Sequence, residues 1–143
     1  MDRRELVLAL LACSEGRQYT PAQLQKAAFL VTRNMPQIVQ GVGFHFVPYD
    51  YGPFDADVYN EAAALHHAGE AVIAPSATGR WNTYAATESG VARGRALLRA
   101  LPAPAQQYLS DVSTWVRAQS FSSLVKSIYD AYPEMRENSI FRG

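Results

Sequence analysis

Few residues in this sequence have the chemistry of a catalytic or metal-binding site. The chain has three histidines and one cysteine: His45, His66, His67 and Cys13. His66 and His67 are adjacent in a predicted helix, so their side chains diverge by about 100° and cannot easily share one ion. His45 alternates with two strand phenylalanines, which indicates a structural residue. A single cysteine excludes an intramolecular disulfide, and Cys13 lies in an apolar helical stripe typical of a core. We therefore predict no metal site and no catalytic residue.

The carboxylates with the closest spacing lie where a helix is expected to begin. Asp55, Asp57 and Glu61 fall within seven positions. Carboxylates are stabilised near the positive end of a helix dipole, so capping explains this cluster better than catalysis. No G-x-S-x-G, phosphate-binding loop or G-x-G-x-x-G motif occurs. Gly41-Val42-Gly43 lacks a third glycine and precedes a strand. The sequence thus predicts no cofactor.

The composition is that of one globular domain over residues 1–143. Hydrophobic residues make up 48% of the chain, and charged residues only 18%. The low charged fraction predicts that a partner protein or a second copy of the chain covers part of the surface. Thirteen basic residues balance thirteen acidic ones, so no overall field attracts nucleic acid or anionic lipid. The N-terminus lacks a signal pattern and no apolar run is long enough to span a bilayer, which predicts a cytoplasmic protein without a membrane partner.

The elements are organised around the aromatic stretch over residues 44–55. Phe44 and Phe46 alternate with His45 and Val47, which predicts a strand with the two phenylalanines on one face. Gly52-Pro53 is expected to end that strand and form a corner. Asp55 then caps the next helix through its carboxylate. Phe54 and Tyr59 are expected to form a hydrophobic staple across that helix start.

Two interpretations of this corner remain open. The simpler one is a structural corner that ends a strand and starts a helix, with Gly52, Pro53 and Asp55 as its structural residues. The functional one is an aromatic docking surface for a partner protein. Tyrosine suits such surfaces because its large ring carries a polar tip. The candidate partner-binding residues are Tyr49, Asp50, Tyr51, Phe54 and Tyr59.

Helices precede and follow the corner. The first is expected over about residues 2–15, apolar nearly all round and therefore buried. Thr20-Pro21-Ala22-Gln23 predicts the start of the second, in which Thr20 and Gln23 form a capping box. That helix ends by Met35-Pro36, and a loop over residues 37–43 leads to the strand.

The second half predicts one further hairpin and more helices. A third helix follows Asp55 and ends at Gly69, and two apolar runs then predict a β-hairpin over residues 71–86. Thr87 caps a fourth helix, which carries Val91, Leu97, Leu98 and Leu101 and ends at Pro102. A fifth helix is expected after Pro104 and a sixth over residues 121–132. The fold class is α+β and mainly helical: a winged-helix-like core (α-α-β-α-β-β-α, residues 1–101) with a helical extension (residues 102–143).

A basic surface supports an alternative function in DNA binding. Its residues are Arg80 at the tip of the second hairpin and Arg93, Arg95 and Arg99 on the fourth helix. Two features oppose this alternative. The span from residue 36 to residue 54 is far longer than the turn of a helix-turn-helix. The third helix also begins with carboxylates, which repel phosphates.

Several segments together resemble a known family. They are Leu24-Gln25-Lys26-Ala27-Ala28-Phe29-Leu30, Phe44-x-Phe46-x-Pro48-Tyr49-Asp50-Tyr51-Gly52-Pro53-Phe54, Val58-Tyr59 and Thr87-Glu88-Ser89-Gly90. They resemble the YwgA-like proteins and the broader SocA/Panacea antitoxin domain. The resemblance runs from about residue 20 to residue 101. It implies a winged-helix-like fold without catalytic residues that binds a protein, often a toxin. The chain departs from the pattern at Ala27-Ala28, where bulkier residues are common, and in its C-terminal helices.

Overall fold

A computed structural model describes all 143 residues, and it confirms the α+β, mainly helical prediction. The helices are α1 (Arg3–Cys13), α2 (Pro21–Asn34), α3 (Asp57–His67), α4 (Glu88–Arg99), α5 (Ala103–Ala118) and α6 (Phe121–Ala131). The strands are β1 (Val47–Tyr49), β2 (Gly52–Phe54), β3 (Ala71–Pro75) and β4 (Asn82–Ala86). Short 3-10 helices span Pro36–Ile38 and Pro133–Arg136. None of the helices combines the length and apolar composition needed to cross a bilayer.

The first helix forms the centre of the molecule. Its start is a capping box: Asp2 Oδ1 accepts the N–H of Glu5 at 2.8 Å, and Glu5 Oε1 accepts the N–H of Asp2 at 2.9 Å. Every residue from Leu6 to Ala12 is buried, because α3, α4 and α5 surround the helix. The prediction of a helix buried nearly all round is confirmed. It ends two residues before the expected Glu15, which has a φ of +56°.

Two glycines of the fourth helix allow close contacts, Gly94 with α1 and Gly90 with the residue before β3. A Cβ atom on Gly94 would lie 2.3 Å from Ala12 Cβ, and one on Gly90 would lie 1.9 Å from the carbonyl oxygen of Glu70. These two glycines are the buried residues of α4. The larger apolar residues of α4 and of the turn that follows it are half-buried and pack against the core: Val91, Leu97, Leu98 and Leu101. Hydrophobic spacing therefore identified α4, whereas two of its close contacts are made by glycines, which carry no hydrophobic side chain.

The hairpin predicted over residues 71–86 is confirmed. Strands β3 and β4 pair antiparallel, with Ala71 opposite Ala86 and Pro75 opposite Asn82. Tyr19 extends this ladder by one residue: its N–H donates to Tyr84 O at 2.7 Å, and the Tyr84 N–H donates to Tyr19 O at 3.0 Å. The segment before α2 is thereby fixed to β4.

The last two helices pack on the same core as α1. Leu109 and Val116 of α5 and Leu124 and Ile128 of α6 belong to one cluster of 29 buried residues. Helix α5 begins at Ala103, slightly earlier than expected. Phe121 follows the same helical spacing as the buried residues of α6, but it is 47% exposed at the first position of the helix. The first turn of α6 extends beyond the core, so its periodicity does not bury that residue.

The aromatic stretch forms a small hairpin rather than one strand and a corner. Strand β1 begins at Val47, not at Phe44, and Gly52-Pro53 lies inside strand β2 instead of ending a strand. Asp50 and Tyr51 form the turn, and Gly52, which follows it, has a φ of +106°. The burial alternation from Phe44 onward is nevertheless as expected, because the extended backbone begins before the paired strand.

The C-terminal residues hold this turn in place. The N–H of Ile140 donates to Asp50 O at 2.9 Å, and Asn138 Nδ2 donates to Pro48 O at 3.2 Å. The hairpin β1–β2 thus contacts residues almost a hundred positions later in the chain.

Candidate functional site

The capping box predicted at the start of α2 is present. The Gln23 N–H donates to Thr20 Oγ1 at 3.2 Å, and the Thr20 N–H donates to Gln23 Oε1 at 3.0 Å. Pro21 occupies the first helical position, where its missing N–H is not needed. Thr20 and Gln23 therefore fix the end of α2 that faces the corner.

A glutamine joins α2 to the corner. Gln25 Nε2 donates to the carbonyl oxygen of Asp55 at 2.7 Å, and its Oε1 accepts the Asp55 N–H at 3.1 Å. The Asp55 carboxylate accepts two further N–H groups, from His45 at 2.7 Å and from Asp57 at 2.9 Å. Helix α3 begins at Asp57 with Ala56 as N-cap, so the assignment of Asp55 as N-cap is wrong by one residue. Asp55 still accepts a hydrogen bond from the first turn of α3, and it also fixes the extended segment before hairpin β1–β2.

Tyr59 links three elements. Its ring contacts Phe54 at 6.1 Å between centroids, as the staple prediction required, and stacks on Tyr84 at 5.6 Å. Its hydroxyl donates to Pro21 O at 3.1 Å. Burial raises the pKa of this hydroxyl, so it stays protonated and keeps donating at all physiological pH values.

Tyr49 and Tyr51 are the exposed aromatic residues of the corner. Tyr49 is 51% exposed and stacks on Phe54 at 4.9 Å, and Tyr51 is 41% exposed and meets Phe121 edge-on at 5.1 Å. Each ring is therefore partly packed against a neighbouring aromatic residue and partly exposed to solvent. Their role in binding remains a prediction.

A groove runs from the corner to the tip of hairpin β3–β4, and we call it the corner groove. It consists of two adjoining hollows that share Pro21, Ala22 and Phe121. The apolar hollow, about 470 Å³, has Trp81, Ser120 and Leu124 among its other lining residues. The lysine hollow, about 230 Å³, has Lys26, Tyr49, Asp50, Tyr51 and Phe54 among its own. Trp81 is 45% exposed and borders the groove at the hairpin tip, and Phe121 is 47% exposed where the two hollows meet.

Lys26 is the buried cation of this groove. The residue is 4% exposed, and its ammonium group forms no hydrogen bond or ion pair within the protein. A Cβ atom on Gly52 would lie 3.6 Å from Lys26 Cε and 3.8 Å from Nζ, so the side chain runs directly beneath the turn. Burial lowers the pKa of Lys26 to about 8. Two segments that carry the family resemblance, Leu24-Gln25-Lys26 and Tyr51-Gly52-Pro53, are therefore in contact.

The carboxylates of α3 pair with arginines of α1. Arg3 contacts Asp57 at 3.1 Å and Glu61 at 3.0 Å, and Arg4 contacts Glu61 at 3.2 Å. The capping interpretation is therefore wrong for Glu61 and incomplete for Asp57. Hydrogen bonds from Asn60 and Arg3 help to lower the pKa of the Asp57 carboxyl.

The arginines of the DNA-binding alternative do not form one free surface. Arg93 pairs with Glu70 at 2.8 Å, and Arg95 pairs with Glu15 at 2.9 Å. Arg80 and Arg99 form no ion pair. Half of the predicted patch is thus directed to neighbouring carboxylates.

The histidines and the cysteine lie apart from the groove. His66 Nδ1 lies 3.1 Å from Ala71 O, and its ring centroid is 6.0 Å from that of His67. No group of three or more His, Cys, Asp or Glu residues is arranged to hold a metal. Burial raises the pKa of Cys13 to about 11, so its thiol is protonated at neutral pH.

Comparisons of the chain with protein-family models, with curated proteins and with solved structures find no match. The geometry of the corner groove is therefore the basis for any functional assignment. Sequence reasoning missed Lys26, Trp81 and Phe121 as members of this groove. A signal did exist for Lys26: Phe29 and Leu30, three and four positions later, share its side of the helix, which is typical of a buried position.

Proposed function

We propose that this protein is a non-enzymatic interaction module that binds a segment of a partner protein in the corner groove. The observation that carries the proposal is a row of four half-exposed aromatic residues along this groove, whose apolar hollow measures about 470 Å³. Those residues are Tyr49, Tyr51, Trp81 and Phe121. Half-exposed aromatic rings beside a concave apolar surface are typical of interface hot spots.

The resemblance to antitoxin domains suggests the kind of partner. Residues of the segments that carry this resemblance line one wall of the groove: Gln25, Lys26, Tyr51, Gly52 and Pro53. Lys26 lies beneath Gly52. We therefore propose an antitoxin-like role, in which the groove binds a toxin and neutralises it. A winged-helix-like arrangement, with β3–β4 as the wing, is part of this proposal.

DNA binding remains the alternative function, with weaker support. Helix α2 ends at Asn34 and α3 begins at Asp57, and hairpin β1–β2 lies between them. No short turn joins the two helices as in a helix-turn-helix. The ion pairs of Arg93 and Arg95 further reduce the free positive charge available to phosphates.

The test uses tyrosine variants of the groove. Tyr49→Ala and Tyr51→Ala are expected to lose a partner that the wild-type protein retains from extracts of its native host. Their melting temperatures should fall little, because both rings are half-exposed. Val72→Ala is the control, since Val72 is 44% exposed and lines neither hollow. If both tyrosine variants melt several degrees lower and keep every partner, the corner is structural and the proposal fails.

The antitoxin role has a separate test. The reading frame beside this gene is expressed alone and together with the protein in a bacterial host. Growth arrest that the wild-type protein relieves, and that Tyr51→Ala does not, is the expected result. If the host grows equally well with and without the protein, the antitoxin role is refuted, and the proposal of a binding module is unaffected.

A further inference from the structure

The positive charge of Lys26 is not compensated from within the protein. Lys26 is 4% exposed, and its ammonium group has no hydrogen-bond or ion-pair partner within the protein. Asp50 is the acidic residue that lines the same hollow, yet it forms no ion pair with Lys26. A buried charge is costly unless an opposite charge or hydrogen bonds satisfy it. An anion bound in the hollow would supply that opposite charge.

A free backbone donor lies on the same side of α2. Ala22 is at the second helical position, where the N–H has no acceptor within the helix, and no side chain accepts it. Ala22 and Lys26 are four residues apart, so they occupy one face of α2. Helical side chains generally lean toward the N-terminus of their helix, which is the direction from Lys26 to Ala22. Ala22 lines both hollows, so this face of α2 borders the whole groove.

A second helix begins at the groove. Ser120 caps α6 by accepting the N–H of Ser123, and the N–H of Phe121 at the first helical position has no acceptor. Phe121 also lines both hollows. Residues from the first turns of two helices therefore line the hollow that contains Lys26, and the positive ends of helix dipoles favour an anion.

We propose that the lysine hollow binds the free C-terminal carboxylate of the partner polypeptide, while the apolar hollow holds the side chain of its last residue. The inference rests on the proposed function, because it specifies which part of the partner enters the groove. A carboxylate satisfies an ammonium group and backbone N–H donors together, which is how C-terminal groups are captured in proteins. The terminal residue carries its carboxylate and its side chain on one Cα atom. It can therefore fill two hollows that share a wall, whereas an internal acidic side chain fills only one.

Peptide pools with a fixed last residue test this inference. Hexapeptides that end in Phe or Leu, with mixed residues elsewhere, are prepared as free acids and as C-terminal amides. Both pools are titrated into the ¹⁵N-labelled full chain, and the Ala22 amide resonance reports binding. The free acids should bind at least about tenfold more tightly than the amides, the usual effect of losing one charge-assisted hydrogen bond. No shift of Ala22 at millimolar free acid, or equal binding of both pools, would overturn the inference.

The chain offers a matched pair of variants, because Lys26 and Lys126 are its only lysines. Lys126 is exposed on α6 and lines neither hollow. Lys26→Met should bind acids and amides equally, and Lys126→Met should keep the preference of the wild-type protein. A preference for acids that survives Lys26→Met would refute the role of Lys26.

The native partner separates this inference from the proposed function. Loss of the partner in Tyr51→Ala but not in Lys26→Met would show that the groove binds a protein without recognising a carboxylate. In that case only the further inference fails. Retention of the partner by both variants would contradict the proposed function itself.

Discussion

Replacing Lys26 with methionine is expected to stabilise the protein at neutral pH. Burial lowers the pKa of Lys26 from its ordinary value of 10.5 to about 8. That difference corresponds to about 3 kcal/mol of free energy that favours unfolding when the lysine is protonated. Methionine is unbranched and adaptable, so it can fill the same space without a charge. For a chain of this size, about 3 kcal/mol corresponds to a rise of roughly 10 °C in melting temperature.

The pH dependence identifies the cause of this stabilisation. Because the pKa of Lys26 is lower in the folded state, the unfolded chain binds more protons between about pH 8 and pH 10.5. The wild-type protein should therefore gain stability through this range, relative to Lys26→Met. Burial raises the pKa of Cys13, Tyr19 and Tyr59, which titrate with the opposite effect on stability. Both proteins retain these groups, so they cancel in the difference.

Urea denaturation of the two proteins at a series of pH values measures this difference. Lys126→Met is the control, and its stability should stay within about 0.5 kcal/mol of wild type because Lys126 is exposed. The reasoning is refuted if Lys26→Met is less stable than wild type at pH 7. It is also refuted if the difference between the two proteins does not change as the pH rises. Confirmation would mean that the residue proposed to bind a carboxylate is maintained at a cost to stability.

Four further predictions concern two glycine substitutions, DNA binding and the effect of a chelator. Gly52→Val should lower the free energy of unfolding by about 2 kcal/mol or more in urea denaturation, since Gly52 has a φ of +106°. Gly94→Ala should destabilise by about 1–3 kcal/mol, because a Cβ atom there would lie 2.3 Å from Ala12 Cβ, and this outweighs the helix-propensity gain of about 1 kcal/mol. A mobility-shift assay at physiological salt should show only weak DNA binding without sequence preference. A chelator should leave the melting temperature unchanged, since no ligand cluster is present.

Each of these expectations has its own control. Combining Gly94→Ala with Ala12→Gly should recover part of the lost stability, and a Gly94→Ala protein as stable as wild type would contradict the packing argument. An unchanged melting temperature for Gly52→Val would show that the turn relaxes without strain. Tight, sequence-dependent DNA binding that is lost in the Arg95→Ala and Arg99→Ala double variant would favour the alternative function. A fall of more than a few degrees on adding the chelator would reveal an unrecognised metal.

Local signals in the sequence predicted most of the elements. The capping box of Thr20 and Gln23 depends on residues three positions apart, so the sequence alone identifies it. The hairpin over residues 71–86 follows from two apolar runs around a turn. Gly52-Pro53 misled the same reasoning because both residues usually end strands, yet a three-residue strand tolerates them. The close contacts of Gly90 and Gly94 in α4 were missed because glycine carries no hydrophobic side chain to count.

The corner groove could not be predicted from local patterns. Its walls bring Lys26, Tyr51, Trp81 and Phe121 together from distant parts of the chain. Lysine is almost never fully buried, so composition rules assign it to the surface. Tyr49 and Tyr51 were named as candidates because side chains on both sides of a turn cannot all point into one core. The opposite wall, formed by α6, had no signal beyond its own periodicity.

The order in which the groove is assembled has a consequence for synthesis of the protein. Tyr49 and Tyr51 leave the ribosome early, whereas Phe121 and the residues that hold the turn, Asn138 and Ile140, leave it last. A nascent chain therefore displays the aromatic turn long before the groove has its second wall. A partner that needs both walls would bind only after α6 and the following residues have been translated. Chains cut short before Phe121 would not compete with finished ones for that partner.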